Sequence, residues 1–201
     1  GRAGQRVTAF PASPMHSPTD ISYMARALQL ARRGRYSCMP NPHVGCVLAR
    51  DGEVIGEGHT RPAGGNHAEI EALQAAGNAQ GATAYVTLEP CSHQGKTGPC
   101  ADALVKAGVV RVVASMTDPN PEVAGQGLAR LRAAGIAVEC GVLEKEARAL
   151  NPGFIARMSR GRGRVRAKLA MSLDGRTAMA SGESQWITSA AARQDVQRLR
   201  A

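Results

Sequence analysis

Short apolar runs alternate with helical patterns between residues 19 and 152, and this alternation restricts the fold more than any other feature of the sequence. Apolar residues at helical spacing predict a first helix from an N-cap at Thr19 or Asp20 to Gly34, and further helices over 67–76, 100–107, 123–134 and 144–150. Strands are predicted over 44–49, 53–57, 82–88, 109–115 and 136–140, with Asp51-Gly52 as a hairpin turn. Elements of this length in this order indicate a layered α/β domain with a mixed sheet.

The composition changes on both sides of this domain. Residues 1–18 contain three prolines and no hydrophobic periodicity, which predicts a flexible tail. Residues 153–164 contain four arginines interleaved with glycine and one serine, which predicts a basic linker. Beyond the linker, the pattern predicts a strand over 165–172 and a helix that Ser189 caps. Because one strand and one helix cannot bury a core, residues 165–201 are expected to be the start of a truncated second domain.

The net charge of +9 comes from 25 Lys and Arg against 16 Asp and Glu. Much of the positive charge lies in residues 157–168, where no aromatic residue is interleaved. This arrangement favours a basic linker over a nucleic-acid surface, because such surfaces use aromatic rings for base stacking. Phosphate on a small-molecule substrate is a third interpretation of the charge. No apolar run approaches the ~18 residues of a membrane span, so no membrane partner is expected.

The five cysteines are an odd number, and no signal-peptide pattern occurs in the first thirty residues. Both observations argue against a disulfide framework and predict the reducing cytoplasm. In that compartment, two cysteines close to a histidine are more often a metal site than a disulfide.

The sharpest motif consists of His67-Ala68-Glu69, Pro90-Cys91 and Cys100. His and Cys are the ligands that zinc prefers, and three protein ligands leave one coordination position open for water. Zinc lowers the pKa of that water towards ~7, and Glu69 is placed to move protons to a ring nitrogen and to a leaving amine. His67 and Cys100 also fall at predicted helix starts, where the helix dipole stabilises a thiolate.

Each part of this motif alone has an ordinary structural explanation. His67 could cap a helix, Glu69 could be a solvated first-turn acid, and the cysteines could be small core residues. The ordered combination is more specific, because it matches the zinc nucleobase-deaminase signature H-x-E with P-C-x-x-C. The chain departs from that signature in having eight residues between Cys91 and Cys100 instead of two. A deaminase of tRNA or another nucleic acid and a non-catalytic zinc or partner-binding module remain alternatives.

Five longer strings carry a family resemblance: PNPHVGCV (40–47), HAEIEAL (67–73), VTLEPCSHQGKTGPC (86–100), RVVASMTDPNP (111–121) and KLAMSLDGRTAMASGESQWIT (168–188). Over nearly all of its length the chain closely resembles the RibD family of riboflavin-pathway enzymes, in which a deaminase is fused to a reductase. The resemblance implies an α/β fold with a three-layer αβα, cytidine-deaminase-like domain over 19–152. An incomplete dihydrofolate-reductase-like domain would follow over 165–201.

The resemblance also implies roles for residues of the first domain. His67, Cys91 and Cys100 would hold one zinc ion, and Glu69 would transfer protons. The implied reaction is hydrolytic deamination of 2,5-diamino-6-(5-phosphoribosylamino)pyrimidin-4-one to 5-amino-6-(5-phosphoribosylamino)uracil and ammonia. The residues implied to contact this substrate are Asn41, His59, His93, Lys96, Asp118 and Asn120. Asp118 and Asn120 would also fit an ordinary Asx-rich turn, and His59 a strand end.

In the second domain, the resemblance implies that Ala170 and Trp186 face NADPH and that Ser184 and Arg200 face the reductase substrate. Trp186 could instead be a core or hinge residue. NADPH is expected only if the reductase domain is complete, and no reductase activity is expected of these 201 residues. The expected partner is therefore a small phosphorylated pyrimidine and not a nucleic acid, and the family resemblance implies a homo-oligomer.

Overall fold

The structure, a computed structural model, describes residues 16–93, 98–121 and 123–200. Its helices are α1 (Pro18–Ala31), α2 (Ala68–Ala76), α3 (Cys100–Lys106), α4 (Gln126–Ala133), α5 (Glu144–Leu150), α6 (Pro152–Arg160) and α7 (Ala190–Arg200), and a 3-10 turn follows α1 at Arg32–Gly34. Its strands are β1 (Gly45–Arg50), β2 (Glu53–His59), β3 (Thr83–Val86), β4 (Arg111–Ala114) and β5 (Ala137–Cys140). All helices and strands predicted between residues 19 and 152 are therefore present, although several of their ends differ from the prediction by a few residues.

The five strands form one mixed sheet in the order β2-β1-β3-β4-β5. Strand β1 pairs antiparallel with both β2 and β3, whereas β3, β4 and β5 run parallel to one another. Asp51 and Gly52 turn the β1–β2 hairpin with φ values of 54° and 84°, the left-handed conformation that a tight hairpin turn requires. The predicted mixed sheet and its hairpin are confirmed.

Helices cover both faces of the sheet. Successive side chains along a strand point to opposite faces, so the strands contribute apolar side chains to both layers. Val47 and Val113 pack with Met24 of α1 on one face. The other face packs against α2, α3 and α4 in a larger core that includes Leu104 and Leu131. The domain is therefore a three-layer αβα structure, as the family resemblance implies.

Two glycines of β2 allow α2 to lie directly on the backbone of the sheet. A Cβ atom at Gly58 would lie 2.1 Å from the Ala68 carbonyl oxygen, and one at Gly56 would lie 2.3 Å from that of Ala72. Both separations are far below a van der Waals contact, so a side chain at either position would push the helix outward. The start of α2 is thereby held close to β2, and it is one of the two helix starts that build the site described below.

The N-terminus of α1 differs from the sequence prediction. Ser17 is the N-cap in place of Thr19 or Asp20, and its hydroxyl oxygen accepts the Asp20 backbone N–H at 3.0 Å. Pro18 occupies the first turn, where its missing N–H costs no hydrogen bond. The Asp20 carboxylate is buried and accepts two hydrogen bonds from the Arg111 guanidinium, at 2.8 and 2.9 Å. The Asp20 side chain that the local pattern offers as a cap is therefore paired with a residue 91 positions away.

The C-terminal part of the chain departs most from the prediction. Most of the segment predicted as a basic linker is helical, as α6, because Phe154 and Ile155 pack against the core. The predicted strand over 165–172 is wrong: these residues have no regular secondary structure, no described segment pairs with them, and Val165 is 92% exposed. The predicted last helix is confirmed as α7, and the Ser189 hydroxyl oxygen accepts the Ala192 N–H at 3.2 Å.

Helices α6 and α7 lie at the surface and contain no fully buried residue. Within the described ranges, none of the helices has both the length and the apolar character needed to cross a membrane.

Candidate active site

Three side chains with metal-ligating atoms converge where two helices begin. His67 immediately precedes α2, Cys91 lies in the loop that follows β3, and Cys100 is the first residue of α3. Their ligating atoms all lie within 4.8 Å of one another. Among the described residues, this is the one group of three or more His, Cys, Asp or Glu side chains that could hold a metal ion. The structure thus brings together the three residues that the motif predicts as zinc ligands, and we call them the zinc-ligand cluster.

The separations within the zinc-ligand cluster fit a tetrahedral site. His67 Nδ1 lies 3.3 Å from Cys100 Sγ and 3.6 Å from Cys91 Sγ. Zn–N and Zn–S bonds of ~2.0 and ~2.3 Å at the tetrahedral angle would place an N and an S ligand about 3.5 Å apart. His67 has the backbone position of an N-cap, but its side chain makes no capping hydrogen bond, so the ring can face the cysteines. One imidazole and two thiolates are a ligand set of catalytic zinc sites with an open position.

Backbone hydrogen bonds hold the two cysteines side by side. The Cys100 N–H donates to Cys91 Sγ at 3.3 Å, and the Ala101 N–H donates to the Cys91 carbonyl oxygen at 3.1 Å. These bonds close the loop between the cysteines at its base, so the eight-residue separation still leaves the two thiols adjacent. Hydrogen bonds from the Cys100 thiol and N–H lower the pKa of the Cys91 thiol, and the hydrogen bond with Cys91 raises the pKa of His67.

Glu69 lies in the first turn of α2 and is only 3% exposed. Burial, followed by the charge of the Cys91 thiolate, raises the pKa of Glu69 to about 7. The nearby Cys100 thiol and the charge of His67 act in the opposite direction and lower the pKa of Glu69. A carboxyl group that titrates near neutrality can both take up and release a proton under physiological conditions. Glu69 is therefore a buried acid beside the zinc-ligand cluster and not a solvated surface acid.

The loop after β4 is hydrogen-bonded to the segment that leads into Cys91, because the Asp118 N–H donates to Glu89 Oε2 at 2.9 Å. Burial raises the pKa of Asp118, the charge of His93 lowers it, and the charge of the Cys91 thiolate raises it. Asp118 therefore has both His93 and Cys91 as electrostatic neighbours. Asp118 Oδ1 also accepts the Asn120 N–H at 2.8 Å. The Asx turn that was the alternative interpretation of this segment is thus present, and it lies beside the cluster.

The other predicted substrate contacts lie at the end of β2, in the loop before β1, or outside the described residues. His59 is the last residue of β2, and burial followed by the charges of Arg61 and Arg33 lowers its pKa. Asn41 lies in the loop before β1, where its N–H donates to the Cys38 carbonyl oxygen at 2.9 Å. Lys96 lies outside the described residues.

Two buried polar residues that connect separate segments have no role in the sequence prediction. Glu89, directly before Pro90, accepts backbone N–H groups from the loop after β4 and from the start of α4. The Asn151 amide accepts the His43 N–H at 2.7 Å and donates to the His43 carbonyl oxygen at 2.9 Å, which ties the loop before β1 to the end of α5. The role of Glu89 could have been suspected from the sequence, because it is a charged residue directly after an apolar strand. No sequence signal pointed to Asn151, because its partner His43 lies 108 residues away.

The residues predicted for the reductase lie in the exposed C-terminal segment. Ser184 and Trp186 line one shallow cavity of about 260 Å³, whose lining residues include neither Ala170 nor Arg200. The Arg193 guanidinium lies over the Trp186 ring, 4.1 Å from its centroid. Trp186 is 69% exposed among the described residues.

Comparisons with known proteins agree with this geometry. Residues 17–116 match the family model of the cytidine and deoxycytidylate deaminase zinc-binding region, and residues 164–201 match that of the RibD C-terminal domain. The riboflavin biosynthesis protein RibD of Escherichia coli (strain K12) is 64% identical over 183 residues, which are 90% of this chain and 50% of the relative. A diaminohydroxyphosphoribosylamino-pyrimidine deaminase of Buchnera aphidicola subsp. Acyrthosiphon pisum (strain APS) is 52% identical over 143 residues, which are 71% of this chain and 97% of the relative. The chain belongs to the RibD family.

A solved RibD structure has the same fold. Acinetobacter baumannii RibD, form 1, superimposes with a TM-score of 0.87 at 60% identity, over 90% of this chain and 51% of that chain. The chain therefore spans about half the length of the RibD proteins that it matches. The zinc-binding region of the family covers α1 to β4 and contains all three members of the zinc-ligand cluster.

Proposed function

We propose that this chain catalyses the hydrolytic deamination of 2,5-diamino-6-(5-phosphoribosylamino)pyrimidin-4-one, with 5-amino-6-(5-phosphoribosylamino)uracil and ammonia as products. One observation carries the proposal: the buried acid Glu69 lies beside a His-Cys-Cys cluster with the spacing of a zinc site. A structural zinc site would have four protein ligands, whereas the cluster offers three. The name of the Buchnera relative, which the chain covers almost completely, supports the choice of substrate.

The zinc-ligand cluster would hold the metal through His67 Nδ1 and the two cysteine sulfurs. Zinc supplies Lewis acidity, which makes water a nucleophile at neutral pH. The chain prepares its ligands for this task, because the Cys100 N–H stabilises the Cys91 thiolate that a metal requires.

Glu69 is the proposed acid–base residue of the reaction. A C–O bond forms at the ring carbon that carries the 2-amino group, and the C–N bond to that group breaks. The ionised Glu69 carboxylate accepts a proton from the attacking water and passes it to the adjacent ring nitrogen. The Glu69 carboxylate then carries the second proton of the water to the leaving 2-amino group, which departs as ammonia. A carboxyl group with a pKa near 7 suits both transfers.

The remaining substrate contacts are proposed in three groups. Asp118 and Asn120 would accept and donate hydrogen bonds at the ribose or the ring, and the closeness of Asp118 to Cys91 supports this role. His93 and Lys96 would bind the phosphate, for which a cation is the natural partner. Asn41 and His59 would contact the edge of the base, and the lowered pKa of His59 favours the neutral ring that can accept a hydrogen bond.

The C-terminal residues are proposed to begin the reductase domain, after a connection over 153–164. The match of residues 164–201 to the RibD C-terminal domain supports this assignment. Ala170 and Trp186 as NADPH contacts and Ser184 and Arg200 as substrate contacts stay predictions. Deamination by this chain is proposed to need none of these four residues.

A cytoplasmic homo-oligomer with no nucleic-acid partner belongs to the same proposal. All five cysteines are free thiols, which suits a reducing compartment. The basic segment over 157–168 contains no aromatic residue for base stacking, which supports a small-molecule substrate over a nucleic acid.

Ammonia release by the zinc-loaded chain tests the proposal, with the pyrimidine substrate generated in situ. We expect release by the wild-type chain and a loss of about 10³-fold in Glu69→Gln, because a positioned acid–base group contributes about that factor. Zinc content, measured by metal analysis, should remain one per chain in both proteins. Glu146→Gln is the matched control: Glu146 also lies in the first turn of a helix, α5, but is exposed and remote in sequence from the motif.

Three results would change the interpretation in different ways. Equal release by Glu69→Gln would remove Glu69 from the acid–base role. Release of ammonia from cytidine, dCMP or tRNA, but not from the phosphoribosylaminopyrimidine, would replace the substrate. A chain that binds no zinc would contradict the whole site.

A further inference from the structure

One buried carboxylate joins three parts of the molecule next to the zinc-ligand cluster. Glu89 lies three residues after the end of β3 and is only 4% exposed. Its Oε2 atom accepts the backbone N–H groups of Asp118 and Gly125, both at 2.9 Å. Its Oε1 atom accepts those of Gly127 at 2.8 Å and Leu128 at 3.3 Å. The four donors come from two separate stretches of backbone, the turn after β4 and the start of α4.

These hydrogen bonds make Glu89 the N-terminal cap of α4. The N-cap residue of that helix is Gly125, which has no side chain to accept the first N–H groups. A carboxylate is well suited to replace it, because the N-terminus of a helix carries partial positive charge. Gly127 allows the contact, since a Cβ atom there would lie 1.9 Å from the Pro90 carbonyl oxygen. The start of α4 therefore rests on the peptide that leads into Cys91.

The same carboxylate closes the loop between β4 and α4. Because the Asp118 and Gly125 N–H groups share one oxygen, the two ends of this loop are held together. Inside the loop, the Asn120 carbonyl oxygen accepts the N–H groups of Val123 and Ala124, each at 2.9 Å. The two ends of the loop are thus held together by the Glu89 side chain, which lies outside the loop.

Glu89 differs from the caps of other helices in its position along the chain. Ser17 caps α1 and Ser189 caps α7 from the adjacent residue in the chain. Glu89 instead caps α4 from the segment that carries Cys91. Glu89 therefore ties Asp118 to the segment that carries Cys91, in addition to the backbone hydrogen bond from the Glu89 N–H to the Met116 carbonyl oxygen at 2.9 Å.

We propose that Glu89 is a positioning residue that holds the turn of Asp118 and Asn120 against the zinc-ligand cluster and so sets the affinity for the substrate. The inference rests on the proposed function, in which Asp118 and Asn120 contact the substrate. Glu89 itself bonds only to backbone groups in the described contacts and does not touch the reacting atoms. Its loss is therefore expected to raise KM more than it lowers kcat.

The first test needs no variant and no activity. In the zinc-loaded 201-residue chain, amide hydrogen exchange is measured residue by residue by NMR. The Asp118 and Gly125 amides should exchange as slowly as those of Gly127 and Leu128 in α4, although both lie in a partly exposed loop. Rapid exchange at Asp118 and Gly125 would overturn the proposal. This test remains valid even if the chain does not act on the phosphoribosylaminopyrimidine, so it separates this inference from the proposed function.

The second test uses Glu89→Gln, which keeps the size of the side chain but turns an NH2 group towards N–H donors. We expect exchange at Asp118 and Gly125 to become at least about tenfold faster and KM to rise about tenfold, with kcat changing less and one zinc per chain retained. Glu89→Asp keeps the charge but is too short to reach all four donors, and it should give intermediate values. Glu144→Gln removes an exposed carboxylate paired with Arg148 and should change neither quantity.

Two outcomes of the second test would overturn the proposal. One is an unchanged KM together with unchanged exchange in a Glu89→Gln chain that still binds zinc. The other is a lower melting temperature with an unchanged KM, which would leave Glu89 a structural role alone. If Glu89→Gln does not fold, the wild-type exchange rates and the KM of Glu89→Asp decide the question.

Discussion

Residues 16–160 and residues 161–200 differ in how completely they cover their apolar side chains. In the first region, helices cover both faces of the sheet, and Leu104 and Leu131 are fully buried. In the second region, which the structure describes throughout, no residue is buried, and Val165 and Leu173 are exposed as fully as in an extended chain. Strands and helices are nevertheless predicted in both regions, so such a prediction alone does not decide whether a core forms.

The strands show the reason. Residues 109–115 and 165–172 are both predicted as strands, yet only the former region forms one, β4, which lies between β3 and β5. A strand is stabilised by the backbone hydrogen bonds and side-chain contacts of its neighbours, and its intrinsic preference is weak. The second region has no such neighbour among the described residues, and its apolar side chains stay exposed.

A pair of leucine truncations should give the largest difference between the two regions. Leu104→Ala removes a fully buried side chain from the core under the sheet and should cost about 3 kcal/mol of unfolding free energy. Leu173→Ala removes a fully exposed one and should change that free energy by less than about 0.5 kcal/mol. Urea unfolding of the zinc-loaded proteins measures both values. Equal losses would mean that residues around Leu173 pack in solution in a way that this structure does not contain.

A pair of aspartate substitutions should give a smaller difference that depends on pH. Asp20→Asn breaks a buried pair with Arg111, and the partial exposure of the arginine reduces the expected cost to about 2 kcal/mol at neutral pH. Asp174→Asn breaks a pair with Arg176 that is fully solvated, and no measurable change in global unfolding is expected.

The sign of the pH dependence follows from the Asp20 pKa. The hydrogen bonds from Arg111 hold the pKa of Asp20 well below its usual range, so its stabilisation is complete above the unfolded carboxyl pKa and is lost as the pH falls through the folded pKa. The wild-type chain and Asp20→Asn should therefore differ most at neutral pH and converge in acid. Urea unfolding at several pH values checks this, and a difference that grows in acid would contradict it.

A pair of helix caps should give the smallest effect. Ser17→Ala removes the N-cap hydrogen bond of α1, which packs against the sheet, and should lower global stability by about 1 kcal/mol. Ser189→Ala removes the matching bond of α7, which should reduce helical circular dichroism slightly and leave the urea midpoint unchanged. A shift of the midpoint in Ser189→Ala would show that α7 unfolds together with the sheet domain.

The chemistry of the site was readable in the sequence because its parts are local. His67 and Glu69 are two residues apart at one helix start, and Cys91 and Cys100 flank a single loop, so spacing and residue type were sufficient to bring them together. The substrate contacts were harder to predict from the sequence. Asp118 was found beside the cluster, whereas the structure surrounds His59 with Arg33, Arg61 and Glu71.

By itself, the amino-acid sequence determined the order of helices and strands between residues 19 and 152, the Asp51-Gly52 turn and the identity of the zinc-ligand cluster. Periodicity, turn chemistry and ligand spacing are properties of short segments, so they do not depend on the rest of the fold. Only the tertiary structure decided that Asp20 pairs with Arg111, that Glu89 anchors the loop after β4 and that residues 165–172 remain unpaired. Each of these outcomes depends on groups that are distant in the sequence. A local sequence pattern cannot predict which distant groups the fold will bring into contact.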